Sequence, residues 1–137
     1  MTMSTLRVKA ADRKRQQTEI LSEAEETDLW NLEEGFWTNG LKNARATTAA
    51  NAVMIVPYPP GILQGDLIWD HLERNTGWRS VSMVERSAVR HGDIVILTYQ
   101  VSAEKPAIPI YEALCASTYL QDEGRWLRIS HQQAPSV

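Results

Sequence analysis

From Ile20 onward the apolar residues recur at helical spacing. Ile20, Leu21, Ala24, Leu29, Leu32 and Phe36 fall largely at steps of three and four, and Trp30 and Trp37 lie seven apart, about two turns of an α-helix. Glu23, Glu25, Glu26, Glu33 and Glu34 fill the other side and read as a solvated face. Asn39-Gly40 supplies the stop, because glycine takes the left-handed cap conformation at no steric cost. The spacing therefore predicts a helix over about Thr18–Thr38. Residues 41–52, rich in alanine and threonine, read as weak helix or loop. Val53-Met54-Ile55-Val56 is a short continuous apolar run of the kind a buried strand carries. Pro57-Tyr58-Pro59-Pro60-Gly61 ends it, since proline has no ladder donor, and the Tyr58–Pro59 bond is a candidate cis peptide. A second helix opens at Gly65-Asp66, with Ile68, Trp69 and Leu72 inward and Asp70, His71, Glu73 and Arg74 on its wet side.

Beyond Asn75-Thr76-Gly77 the period changes to two. The first run, Trp78–Val89, alternates until Val84 breaks its register. In Ile94–Ala103, Val95, Leu97, Tyr99 and Val101 share one face. In Ile110–Leu120, Tyr111, Ala113, Cys115, Ser117 and Tyr119 share one face. Trp126–Gln132 is the last strand. His91-Gly92-Asp93 and Asp122-Glu123-Gly124 are turns, and residues 105–109 a proline-bounded loop. Helix, short strand, helix and four antiparallel strands predict an α+β chain with its helices on one face of a curled sheet.

Composition narrows the class. The chain has 137 residues, 43% hydrophobic and 23% charged, which suits one globular domain with its own core. No apolar run approaches the roughly 18 residues of a membrane span. One cysteine allows no internal disulfide, and histidines at 71, 91 and 131 form no sequence-local metal cluster. Neither a metal nor a cofactor is expected. The net charge of −3 divides unevenly: residues 1–15 hold five basic residues against Asp12, and the rest of the chain is acidic. Residues 1–17 read as a basic tail or helix extension ahead of a single domain over 18–137. The acidic body argues against nucleic acid, which requires clustered cations. No apolar stretch follows the basic residues, so the expected compartment is the cytoplasm.

Several segments together resemble a known family. Ala52–Leu63, Gly77-Trp78-Arg79, Val95–Tyr99, Tyr111–Cys115 and Gly124–Pro135, the last ending in His131-Gln132-Gln133-Ala134-Pro135, are similar to the SnoaL-like bacterial branch of the nuclear-transport-factor-2-like superfamily. The resemblance covers about Glu19–Pro135. It implies a cone-shaped barrel of helices packed on a curved antiparallel sheet, a pocket between them, and homodimers through the sheet. Members include ketosteroid isomerases, polyketide cyclases, dehydratases and plain binding or accessory domains, so the fold leaves the function open. The isomerases and cyclases use an Asp or His deep in the cone. This chain has no Asp within an apolar strand to abstract a proton, and Asp66 and Asp70 lie on the second helix, where a carboxylate can still face the cone mouth.

His131, near the end of the last strand, is the acid–base candidate; otherwise it is a structural histidine tying strand to strand. Tyr99 is the candidate to stabilise an enolate-like oxygen. Met54, Tyr58, Trp69, Trp78, Tyr99, Cys115 and Tyr119 are the candidate pocket lining, with packed core or dimer interface as the competing reading. Cys115, with no cation nearby in sequence, reads as an inert core thiol. His71 and His91 read as surface residues. Two functions compete: a pocket for a small hydrophobic ligand, with or without isomerase-, cyclase- or dehydratase-like chemistry, and a non-catalytic dimerising module. Apolar residues on both faces of the strands favour a homodimer in either case.

Overall fold

In the computed structural model, which describes residues 20–75 and 77–136, the first helix starts later than its periodicity predicts. Ser22 caps it: its hydroxyl accepts from the Glu25 amide at 3.0 Å, and the Glu25 carboxylate accepts from the Ser22 amide at 3.1 Å. This reciprocal pair satisfies two otherwise orphaned amides, and helix α1 runs Glu23–Thr38, leaving Ile20 and Leu21 outside it. Residues 1–17, read as a basic tail, lie outside the described residues. Gly40 at φ +82° turns the chain sharply into a second helix, α2, Gly40–Thr47. The segment read as weak helix or loop is thus a helix followed by strand β1, Thr48–Ile55. After the proline turn, with both Tyr58–Pro59 and Pro59–Pro60 cis, a three-residue strand β2, Ile62–Gln64, pairs back onto β1. Helix α3, Asp66–Arg74, follows as predicted.

Four long strands complete the chain: β3, Ser80–His91; β4, Ile94–Glu104; β5, Tyr111–Asp122; and β6, Arg125–Pro135. Together with the first two they form one six-stranded sheet in the order β2-β1-β6-β5-β4-β3. The expected α+β cone, helices packed on one face of a curved sheet, is the architecture observed, with two particulars added. β1 runs parallel to β6, because the helical excursion through α3 and the meander returns the chain in the same direction. The sheet also stays open, with β2 and β3 as its edges. The architecture is an α+β cone, three described helices against one face of a mixed, curved sheet.

Alternation sorts β4 and β5 as the sequence predicts. Val95, Leu97, Tyr99, Val101 and Ala103, then Ala113, Cys115, Ser117 and Tyr119, are buried against the helices. The register shifts in three places, between Thr48 and Val53 of β1 against β6 and at bulges in β3 and β6. In β3, Val84 pairs with Gln100 but Ser87 with Thr98, and Glu85 sits at φ +54°, where the alternation of Trp78–Val89 falters. In β6, Ser130 pairs with Thr118 but Arg128 with Tyr119, so Ile129 is an extra residue. That bulge brings Arg128 and His131, three apart, onto the same inward face. Strict alternation would have put them on opposite faces.

Candidate functional site

Glu33 occupies the middle of the interface between α1 and the sheet, and no part of it is exposed. The sequence reading placed it on a solvated face. Leu29 and Trp30 lie one turn before it and Phe36 and Trp37 one turn after, and all four are buried. A residue so flanked lies on the buried stripe whatever its polarity. That stripe is the signal that identifies Glu33 from sequence.

Three hydroxyls from the sheet donate to its carboxylate. Tyr99 and Ser117 each reach Oε2 at 2.5 Å, and Tyr119 reaches Oε1 at 2.6 Å. Each hydroxyl, its hydrogen spent, accepts from a nitrogen behind it. Trp37 Nε1 donates to the Tyr99 oxygen at 3.0 Å. His131 Nδ1 lies 2.7 Å from the Ser117 oxygen. Arg128 Nη2 donates to the Tyr119 oxygen and lies 3.4 Å from Glu33 Oε1. A carboxylate met by donors on every side must be ionised, because a protonated oxygen would face another donor.

Charge and burial compete here. Burial alone would raise the Glu33 pKa, but the buried guanidinium of Arg128, together with His131 and Ser117, outweighs it and holds the carboxyl well below its usual range. Burial and the Glu33 charge push Tyr99 and Tyr119 well above the ordinary phenol value. Cys115, on the same face, is pushed up to about 12 by burial and then by Glu33. Arg128, which the sequence reading did not single out, also donates to Thr47 and Thr48 at 3.2 and 3.0 Å and stacks 4.1 Å from the Phe36 ring centre.

A cavity of about 460 Å³ opens beside this cluster, between α1, α2, α3, the loop of residues 105–110 and the ends of β5 and β6. Phe36, Trp37, Trp78 and Tyr111 form its aromatic wall. Trp78 stacks on Tyr111 with ring centres 5.8 Å apart, and Trp37 packs edge-on to Trp78 at 5.9 Å. Leu41, Ala44 and Leu72 add aliphatic surface, and the loop residues Ile108, Pro109 and Ile110 the rim. Cavity and cluster share a boundary. Tyr111 donates to Gln133 Oε1 at 2.9 Å, and Gln133 Nε2 donates to His131 Nε2 at 3.0 Å. With Nε2 accepting, the imidazole proton sits on Nδ1, where Ser117 receives it.

The residues expected to form one pocket are therefore divided. His131, Tyr99 and Tyr119 belong to the sealed cluster, and Cys115 and Met54 are buried in the core. Trp78 lines the cavity. Trp69 packs at the edge of the core beneath Arg45, 5.1 Å from its ring centre. Tyr58 projects from the proline turn with 89% of its surface exposed, because the turn directs it away from the sheet. Phe36, Trp37, His71, Lys105 and Gln133 line the cavity without having been proposed for it. Among the described residues no group of three His, Cys, Asp or Glu is placed to hold a metal ion, and no helix is long and apolar enough to cross a membrane.

No family model matches the chain, and no curated protein matches it. Solved structures do. A protein of unknown function with a cystatin-like fold from Nostoc punctiforme superposes with a TM-score of 0.72 at 14% identity, over 85% of this chain and 94% of that one. A candidate ketosteroid isomerase from Parabacteroides distasonis gives 0.70 at 11% identity, over 87% and 96%. The association domain of Caenorhabditis elegans CaMKII gives 0.67 at 10%, over 82% and 96%. At such identities the likeness is one of fold, and the fold is nuclear-transport-factor-2-like.

Proposed function

We propose that this chain binds a small, flat, hydrophobic ligand in the cavity walled by Phe36, Trp37, Trp78 and Tyr111. The observation that carries this reading is the division between that cavity and the polar cluster behind it. A general base must come within hydrogen-bond reach of the proton it takes. Glu33 and His131 are sealed off by Trp37 and Gln133, and the Glu33 oxygens are already saturated with donors. An apolar cavity with few polar groups supports binding, and nothing in its lining supports proton abstraction by His131 or by Tyr99. The test is calorimetric titration with 2-naphthol. The expected result is one site per chain, lost in Leu41→Trp, which fills the cavity, at unchanged helix content. No binding to the wild type, or undiminished binding to Leu41→Trp, overturns the reading.

A second property has its own support. The outer face of the sheet, opposite the helices, carries Ile55, Val84, Val89 and Leu114, between 44% and 54% exposed. An apolar sheet face of this kind favours a partner, and a second copy of the chain, packed face to face, would cover it with the same apolar surface. A buried free thiol is in keeping with a reducing cytoplasm.

A further inference from the structure

We infer that the ligand of this cavity is a hydroxylated aromatic whose hydroxyl donates its hydrogen to Tyr111 Oη. The inference rests on the binding reading above and names the polar group the ligand carries. Its basis is a hydrogen-bond chain with one direction, running from the cavity wall to the buried carboxylate. Ionised Glu33 can only accept, and Ser117 donates to it at 2.5 Å. The Ser117 oxygen in turn accepts from His131 Nδ1 at 2.7 Å, which fixes the imidazole proton on that nitrogen. His131 Nε2 is then bare and accepts from Gln133 Nε2 at 3.0 Å. With its nitrogen so placed, Gln133 turns its oxygen to Tyr111 and accepts the phenol hydrogen at 2.9 Å.

Each link holds the next in its direction. A doubly protonated His131 would face the Gln133 amide nitrogen donor to donor. An amide turned over would set its oxygen against the bare Nε2, acceptor to acceptor. The chain ends in the cavity wall, because Gln133 and Tyr111 both line it. Burial pushes the Tyr111 hydroxyl up to about 12, so at neutral pH it is a phenol with its hydrogen in place. That hydrogen is committed to Gln133, and what Tyr111 offers a ligand is a lone pair. A ketone, ether or carboxylate oxygen would meet it lone pair to lone pair. A hydroxyl meets it with a hydrogen. The Tyr111 ring, stacked on Trp78, supplies apolar surface for the body of the same ligand. Gln133 and His131 are positioning residues here: they act through Tyr111 by setting where its hydrogen points.

The experiment compares 2-naphthol with 2-methoxynaphthalene, which keeps the oxygen and lacks its hydrogen, by calorimetric titration at neutral pH. The expected result is 2-naphthol binding about fivefold more tightly to the wild type, the scale of one neutral hydrogen bond. Gln133→Met releases the Tyr111 hydrogen to the cavity, so 2-methoxynaphthalene should tighten until the two ligands bind alike. Gln133→Met combined with Tyr111→Phe removes the acceptor as well, and there the two should bind alike because 2-naphthol weakens. Affinity for 2-methoxynaphthalene equal to or above that for 2-naphthol in the wild type overturns this inference and leaves the binding reading intact. A preference for 2-naphthol that survives Gln133→Met, both affinities moving together, does the same, since it would be one of shape. If neither ligand binds the wild type, the binding reading falls and takes this one with it.

Discussion

Glu33 on α1 and Arg128 on β6 form an ion pair with neither side chain exposed, 3.4 Å from Oε1 to Nη2. Taking both charges out of water costs several kcal/mol per ion, and their attraction offsets this only where further hydrogen bonds complete both groups. Here they do so in large part. Three hydroxyls surround the carboxylate, and Thr47, Thr48, Tyr119 and the Leu32 carbonyl receive the guanidinium. Arg128 Nε has no hydrogen-bond partner among the described residues. The pair fastens α1 to β6 across the core.

Breaking that pair from one side leaves a buried charge uncompensated. Glu33→Gln and Arg128→Met should each lower stability by about 3–5 kcal/mol in urea unfolding. Replacing both ends with apolar residues, as Glu33→Leu with Arg128→Met, should cost clearly less than the two singles combined. A Glu33→Gln loss below about 0.5 kcal/mol, the range of ordinary surface changes, would falsify the view that the pair anchors the fold.

Acid stability follows from the sign of the Glu33 shift. The native pKa is depressed, so the unfolded chain takes up the proton first. The stabilisation is fully present above the unfolded value of about 4.3, and is lost as pH falls from there through the native value. Unfolding free energy measured between pH 7 and pH 3 should fall more steeply in the wild type than in Glu33→Gln, which has no carboxyl to titrate there. Parallel profiles would remove Glu33 as the source.

The Cys115 thiol should be inert in the native state. Burial and the Glu33 charge push it up to about 12, so almost no thiolate exists at neutral pH. Ellman's reagent at pH 8 should leave the folded protein unmodified and label one thiol per chain in urea. Rapid labelling of the folded chain would show an accessible, activated cysteine instead.

The outer sheet face predicts a dimer. Light scattering at micromolar concentration should give about twice the 15.5 kDa chain mass. Leu114→Glu, on the exposed side of β5, should halve it, because a charge buried in an apolar interface has no partner. Far-UV circular dichroism should be unchanged, since Leu114 takes no part in the inner core. A wild type that runs as a monomer overturns the expectation.

Periodicity determined much of this protein without the structure. The inward sets of β4 and β5, from Val95 to Val101 and from Ala113 to Tyr119, follow from the two-residue period of a strand. The α+β class follows from the switch between periods. The same rule carries Glu33 into the stripe of Leu29, Trp30, Phe36 and Trp37, but a carboxylate is read as solvated until its donors are known. Those donors come from β4, β5 and β6, between 66 and 95 residues away in sequence, and only tertiary structure brings them together. The bulge at Ile129 puts Arg128 and His131 on one face, and nothing in the local sequence announces it. The cavity likewise depends on how the loop of residues 105–110 and α3 close over Trp37 and Trp78. Local periodicity says which side of an element is buried. What faces it across the core is decided by strand register and helix packing.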